Sequence, residues 1–118
     1  MTHPIKRHET NMGIMSNVVE GAGLVFTTGV LAKDLDQDAK GQTQQIVAEL
    51  DRLLKLAGTD KARIMWASFW VSDQRYREAV NEVWVPWIGS GNLTARATVE
   101  AKLAQPKALV EIAVIALK

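Results

Sequence analysis

Two segments of this 118-residue chain, Ile64 to Val71 and Leu109 to Leu117, are apolar on both of the faces that a β-strand presents. Successive strand side chains point to opposite sides of a sheet, so Ile-Met-Trp-Ala-Ser-Phe-Trp-Val demands cover above and below, like a central strand buried on both faces. The chain supplies few helices for that purpose. Ile46, Leu50, Leu53, Leu54 and Ala57 recur at helical spacing, and Gly58 follows where a left-handed residue ends a helix. Asp34, Asp36 and Asp38 precede this helix as acceptors for its free N–H groups. A second stripe runs through Tyr76, Val80, Val83, Trp84 and Trp87, with Ser72 and Asp73 as caps and Pro86 placed to end or kink it.

The remaining segments are strand-like. Residues 5–9 form a first candidate, and Met15 to Glu20 and Leu24 to Val30 form a hairpin around Gly21-Ala22-Gly23, whose glycines supply the positive φ of a tight turn. Thr94 to Ala101 follows the Gly89-Ser90-Gly91-Asn92 loop, and a connection through Gln105-Pro106-Lys107 leads to the last strand. The order is ββ(β)αβαββ, an α/β (α+β) chain forming one domain over residues 1–118. Right-handed crossovers place both helices on one side of the sheet. The opposite face then needs a cover from outside, and a second copy of the chain is the simplest candidate.

Composition narrows the function. A net charge of +1 without runs of like charge gives no footprint for nucleic acid or an anionic membrane surface. The absence of cysteine removes disulfides, thiolate catalysis and cysteine-ligated metals. No apolar run resembles a signal peptide or a bilayer span, so a cytoplasmic location is expected. His3 and His8, the only histidines, flank Pro4 and read as surface residues without function, leaving no expected metal site.

Two charged residues stand out. Thr94, Arg96, Thr98, Glu100 and Lys102 alternate with Ala95, Ala97, Val99 and Ala101. That polar face is either a solvated surface or a wall on which Arg96 takes a carboxylate through its planar fork. Glu111 shares a strand face with Leu109, Ala113, Ile115 and Leu117, where burying an ionised group without a partner is costly. It is either a structural ion-pair partner or a positioned proton acceptor with a raised pKa. Trp66, Trp70, Trp84 and Trp87 read as core or interface packing.

Three blocks carry a family resemblance: Thr27-Thr28-Gly29-Val30; Val80-Asn81-Glu82-Val83-Trp84; and Ala95-Arg96-Ala97-Thr98-Val99-Glu100 with Val110-Glu111-Ile112 following. Their order and spacing, with the glycine-rich hairpin and the helix ending Leu53-Leu54-Lys55-Leu56-Ala57-Gly58, resemble the Rid family of enamine/imine deaminases, also called YjgF-type proteins. The resemblance covers nearly the whole chain. It implies a chorismate-mutase-like mixed sheet with two helices on one face, assembled as a homotrimer with sites between subunits. It also implies hydrolytic deamination of small 2-imino or 2-enamino acids, such as 2-aminoacrylate, to 2-oxo acid and ammonia, without metal or cofactor.

Carried over by position, the resemblance makes Arg96 the carboxylate ligand and Glu111 the residue that orients water. Thr28, Gly29, Thr98 and Asn81 then line the pocket. Where the family has Gly-Pro-Tyr-Ser, this chain has Gly13-Ile14-Met15-Ser16, so Met15 replaces a tyrosine hydroxyl and makes the pocket more apolar. Thr94 replaces a proline before Ala95-Arg96. Alternatives to the small-imine reading are a non-catalytic trimer that senses a carboxylic metabolite and a deaminase of a larger ring-cleavage product such as 2-aminomuconate.

Overall fold

The computed structural model describes residues 3–118. Its strands are β1 (Lys6–Asn11), β2 (Met15–Gly21), β3 (Leu24–Thr27), β4 (Ile64–Val71), β5 (Ala95–Glu100) and β6 (Val110–Leu117), and its α-helices are α1 (Ala39–Leu56) and α2 (Arg77–Ile88). One mixed sheet has the order β1-β2-β3-β6-β4-β5, with β4 and β5 parallel and every other neighbouring pair antiparallel. β6 arrives last and inserts between β3 and β4, the two strands that α1 connects.

The β2–β3 turn is tighter than the glycine spacing suggests. Gly21 closes β2, and Ala22 (φ 52) and Gly23 (φ 80) form the turn. Positive φ at both positions matches the right-handed twist of a two-residue hairpin, although an alanine there carries a steric cost of about 1–2 kcal/mol.

Helix α1 begins at Asp38, whose carboxylate accepts from the Gly41 N–H at 2.8 Å, a cap contributing about 1 kcal/mol. Ile46, Leu50, Leu53 and Leu54 enter the core, and Gly58 (φ 78) ends the element in the expected conformation. Buried Gln42 donates to the carbonyls of Leu35, Gln37 and Lys107 and accepts from the Leu109 N–H. One amide thus joins the segment before α1 to the segment before β6.

Helix α2 departs from expectation at both ends. Asp73 caps a short 3-10 turn at Gln74–Tyr76, accepting from the Arg75 N–H, and α2 then starts without a side-chain cap. Pro86 neither ends nor visibly breaks the helix, which continues to Ile88 and stops at Gly89 (φ 86). The carbonyl deprived of its partner belongs to Glu82; that residue and Pro86 are exposed, so water can replace the missing donor.

Ala67, Phe69 and Val71 of β4, with Val110, Ile112, Val114 and Ala116 of β6, are buried against the helices. Phe69 meets Trp84 edge-on at 4.8 Å between centroids, and Trp84 continues to Trp87 at 5.1 Å. The expectation that β4 is buried on both faces holds for one face only within a single chain. Trp66, Phe26, Val99 and Leu117 remain exposed on the other, with Trp70 and Ile115 half-buried among them.

Candidate functional site

Register determines which sequence candidates can meet. On β5, Arg96 lies beside Ala67 and Thr98 beside Phe69, so the polar face of that strand turns toward the helices. Ala95, Ala97 and Val99 face the open side, and Val99 is 48% exposed. The solvated-face reading of Arg96 is therefore reversed: the polar side is half-buried and the apolar side is bare. On β6, Glu111 lies beside Trp70 and shares the open side. Arg96 and Glu111 consequently occupy opposite faces of one sheet, two strands apart.

Glu111 opens onto a cleft of about 880 Å³ that also contains Met15, Thr28 and Gly29. The Thr28–Gly29 segment is set by the Thr28 N–H to the Asn17 carbonyl (2.9 Å) and by reciprocal bonds between Val30 and Ile112 (2.8 and 3.2 Å). The Thr28 hydroxyl donates to the Met15 sulfur at 3.3 Å, which places the Met15 side chain beside Thr28 in the cleft. Met12, Ile14, Leu31 and Leu53 supply apolar wall, and Lys33, Asp34, Glu49 and Arg52 supply a charged part of the lining. Glu111 has no cation within ion-pair distance among the described residues, and desolvation by burial pushes the pKa of its carboxyl up from the ordinary value. The structural ion-pair alternative thus has no partner among the described residues.

A second cleft of about 500 Å³ lies between the start of α2 and β5. Gln74, Arg77 and Asn81 form one wall, and Arg96, Ala97 and Thr98 form the other. The Arg96 guanidinium lies 3.9 Å from the Phe69 ring centroid and contacts the Thr98 hydroxyl at 3.4 Å. Burial, and then the neighbouring charge of Arg77, lower its pKa, although a guanidinium remains protonated at any ordinary pH. Asn81 Oδ1 and Thr94 Oγ1 are buried without a hydrogen-bond partner among the described residues.

The seven candidates therefore fall into two groups, Met15, Thr28, Gly29 and Glu111 in one cleft and Asn81, Arg96 and Thr98 in the other. Sequence reasoning did not select Arg77, although its signal was present: Gln74, Arg77 and Asn81 recur at intervals of three and four, as residues sharing a helical face do. His8 also departs from expectation. It is held 2.7 Å from the buried Glu20, which also pairs with Lys118, so it belongs to a structural ion network, while His3 is exposed.

Comparison with known proteins matches residues 8–118 to the family described as Endoribonuclease L-PSP. A RutC family protein from Haemophilus ducreyi is 35% identical over 94 residues, covering 80% of each chain. The RutC family protein YoaB from Escherichia coli is 36% identical over 101 residues, covering 86% of this chain and 88% of that protein. Among solved structures, a member of the YjgF protein family from Neisseria meningitidis superposes with a TM-score of 0.92 at 35% identity, covering 98% of this chain and 95% of the other. A conserved Rid family protein from Yersinia pestis gives 0.90 at 26% identity, covering 98% of this chain and all of its own.

Proposed function

Because the chain belongs to the YjgF/Rid family, also described as Endoribonuclease L-PSP, we propose that it hydrolyses small 2-imino acids, and 2-enamino acids after tautomerisation, to 2-oxo acids and ammonia. The observation that carries this reading is a half-buried carboxylate and a half-buried guanidinium, each without an oppositely charged partner among the described residues. Each is suited to a ligand or to a neighbouring copy. Their opposite orientations prevent one sheet from presenting both to one small molecule. A homotrimer resolves this by setting the Arg96 cleft of one copy against the Glu111 cleft of the next, while the open apolar face packs inward.

In such a site Arg96 binds the substrate carboxylate through paired hydrogen bonds, with Thr98 and Asn81 beside it. This fixes the imine carbon near a water held by Glu111. The water oxygen bonds to that carbon as the C=N π electrons move to the nitrogen of the protonated imine, and Glu111 accepts a water proton. A carbinolamine results. Proton transfer to its nitrogen and from its hydroxyl then breaks the C–N bond, leaving the 2-oxo acid and ammonia with no net redox change. A carboxyl whose pKa is raised by burial is suited to the exchange, since it takes and returns a proton near neutrality more readily than an exposed one. Orientation supplies much of the rate for an imine that is already prone to hydrolysis.

The test adds purified protein to 2-aminoacrylate generated enzymatically. Pyruvate and ammonia should appear faster than in its absence. Equal rates, combined with retained binding of 2-oxo acids, would replace the hydrolase with a non-catalytic carboxylate sensor.

A further inference from the structure

We propose that Arg77 makes the Arg96 cleft selective for imino acids whose side chain carries a second acidic group. This rests on the reading of Arg96 as the ligand of the first carboxylate and extends it to the substrate's other end. Two guanidiniums line the cleft and no carboxylate does. Arg52 holds Glu9 and Glu49 at 2.6 and 2.7 Å and Arg75 lies 3.9 Å from Asp73, while Arg7 and Arg63 form no ion pair among the described residues. Arg77 has no acid within ion-pair distance among the described residues. The nearest candidate on the β5 face, Glu100, accepts instead from the Gln74 N–H at 2.9 Å.

Two like charges facing a partly desolvated cleft repel each other, and one bound carboxylate neutralises only one of them. A dianion relieves both. Gln74 and Asn81 flank Arg77 on the same wall, where their amide N–H groups can donate to a carboxylate. The opposite cleft also holds cations, Lys33 and Arg52, but Asp34, Glu49 and Glu111 line it too and Arg52 is already paired with Glu9 and Glu49, so it offers a second acid no surplus of positive charge. A side-chain carboxylate one or two methylenes from the imine carbon would therefore turn toward Arg77. Imines derived from acidic amino acids have that chemistry.

The matched probes are 2-oxoglutarate and 2-oxopentanoate, five-carbon 2-oxo acids that differ in a terminal carboxylate against a methyl. Calorimetric titration at fixed ionic strength should show 2-oxoglutarate binding roughly tenfold tighter to the wild-type protein. Arg77→Ala should bring the ratio close to one, Arg77→Lys should keep part of it, and Arg75→Ala, outside the cleft, should leave it unchanged. A wild-type ratio near one, a ratio that survives Arg77→Ala, or a change of oligomeric mass in Arg77→Ala would overturn the proposal, the last by making Arg77 an intersubunit contact. In parallel, ammonia release is followed from the imines of glutamate and norvaline generated by an amino-acid oxidase. A binding ratio without turnover would sink the deaminase and leave the second-anion assignment standing, turnover without the ratio would do the reverse, and binding of neither acid would remove both.

Discussion

The Glu111 carboxyl group fills the space that a side chain at Gly29 would need: a Cβ built there would stand 2.9 Å from the Glu111 carboxyl carbon and nearer still to Oε2. Gly29 is not in the left-handed region, so alanine suits its backbone and the conflict falls on the mobile end of Glu111. Gly29→Ala should therefore melt close to wild type while turnover falls at least about tenfold through displacement of the water-orienting group. Melting and steady-state kinetics on one preparation check this. Normal turnover would show that the position of Glu111 does not matter.

Glu111→Gln keeps the shape but removes the proton acceptor. Turnover should collapse while affinity for a 2-oxo acid changes little. Stability should move the other way. Burial raises the folded pKa of Glu111 above its unfolded value, so its contribution is fully present below the unfolded pKa and is lost as pH rises through the folded one. At neutral pH the ionised carboxylate weakens the fold, and Glu111→Gln should melt higher than wild type. The difference should close on acidification toward the ordinary carboxylate pKa. A gap that widens toward acid would contradict the desolvated carboxylate.

Arg96→Ala should weaken 2-oxo acid binding by at least about tenfold, because a bidentate charged contact is lost. Arg96→Lys should rescue little, since an ammonium cannot reproduce the planar fork. Equal affinities across the three proteins in calorimetric titration would reject the carboxylate role.

Light scattering should give three times the 13.0 kDa chain mass. Val99→Asp should break the assembly without unfolding the chain, because Val99 is 48% exposed on the open face. The released monomers should retain their secondary structure by circular dichroism and lose turnover. If Val99→Asp keeps the trimeric mass, that face is not the interface.

Legibility in the sequence followed the strength of the local signal. The stripe from Ile46 to Ala57 and the stop at Gly58 are written in residues that act on their immediate neighbours, so α1 could be read almost complete. The apolar pattern of β4 likewise foretold an uncovered face. The direction of Arg96 could not be read in this way, because alternation separates two faces without saying which one meets the helices; that depends on pairing with β4, far away in sequence. Pro86 misled because breaking a helix depends on whether the deprived carbonyl can reach water. His8 hid its partner for a similar reason, since Glu20 lies across a strand pairing. The family blocks singled out Arg96, Glu111, Gly29 and Asn81 by order and spacing, but Arg77 lay outside them.

The placement of Arg96 and Glu111 on opposite sides of the sheet also has a genetic consequence. Each site in a ring of three would take its arginine from one copy and its glutamate from the next. A cell carrying an Arg96→Ala allele and a Glu111→Gln allele would make two inactive products, yet every mixed ring would contain one junction where the intact arginine of one product meets the intact glutamate of the other. With equal expression and random assembly, about a quarter of the wild-type number of sites would return. Two recessive lesions in the same gene would then complement each other, as lesions in separate genes ordinarily do.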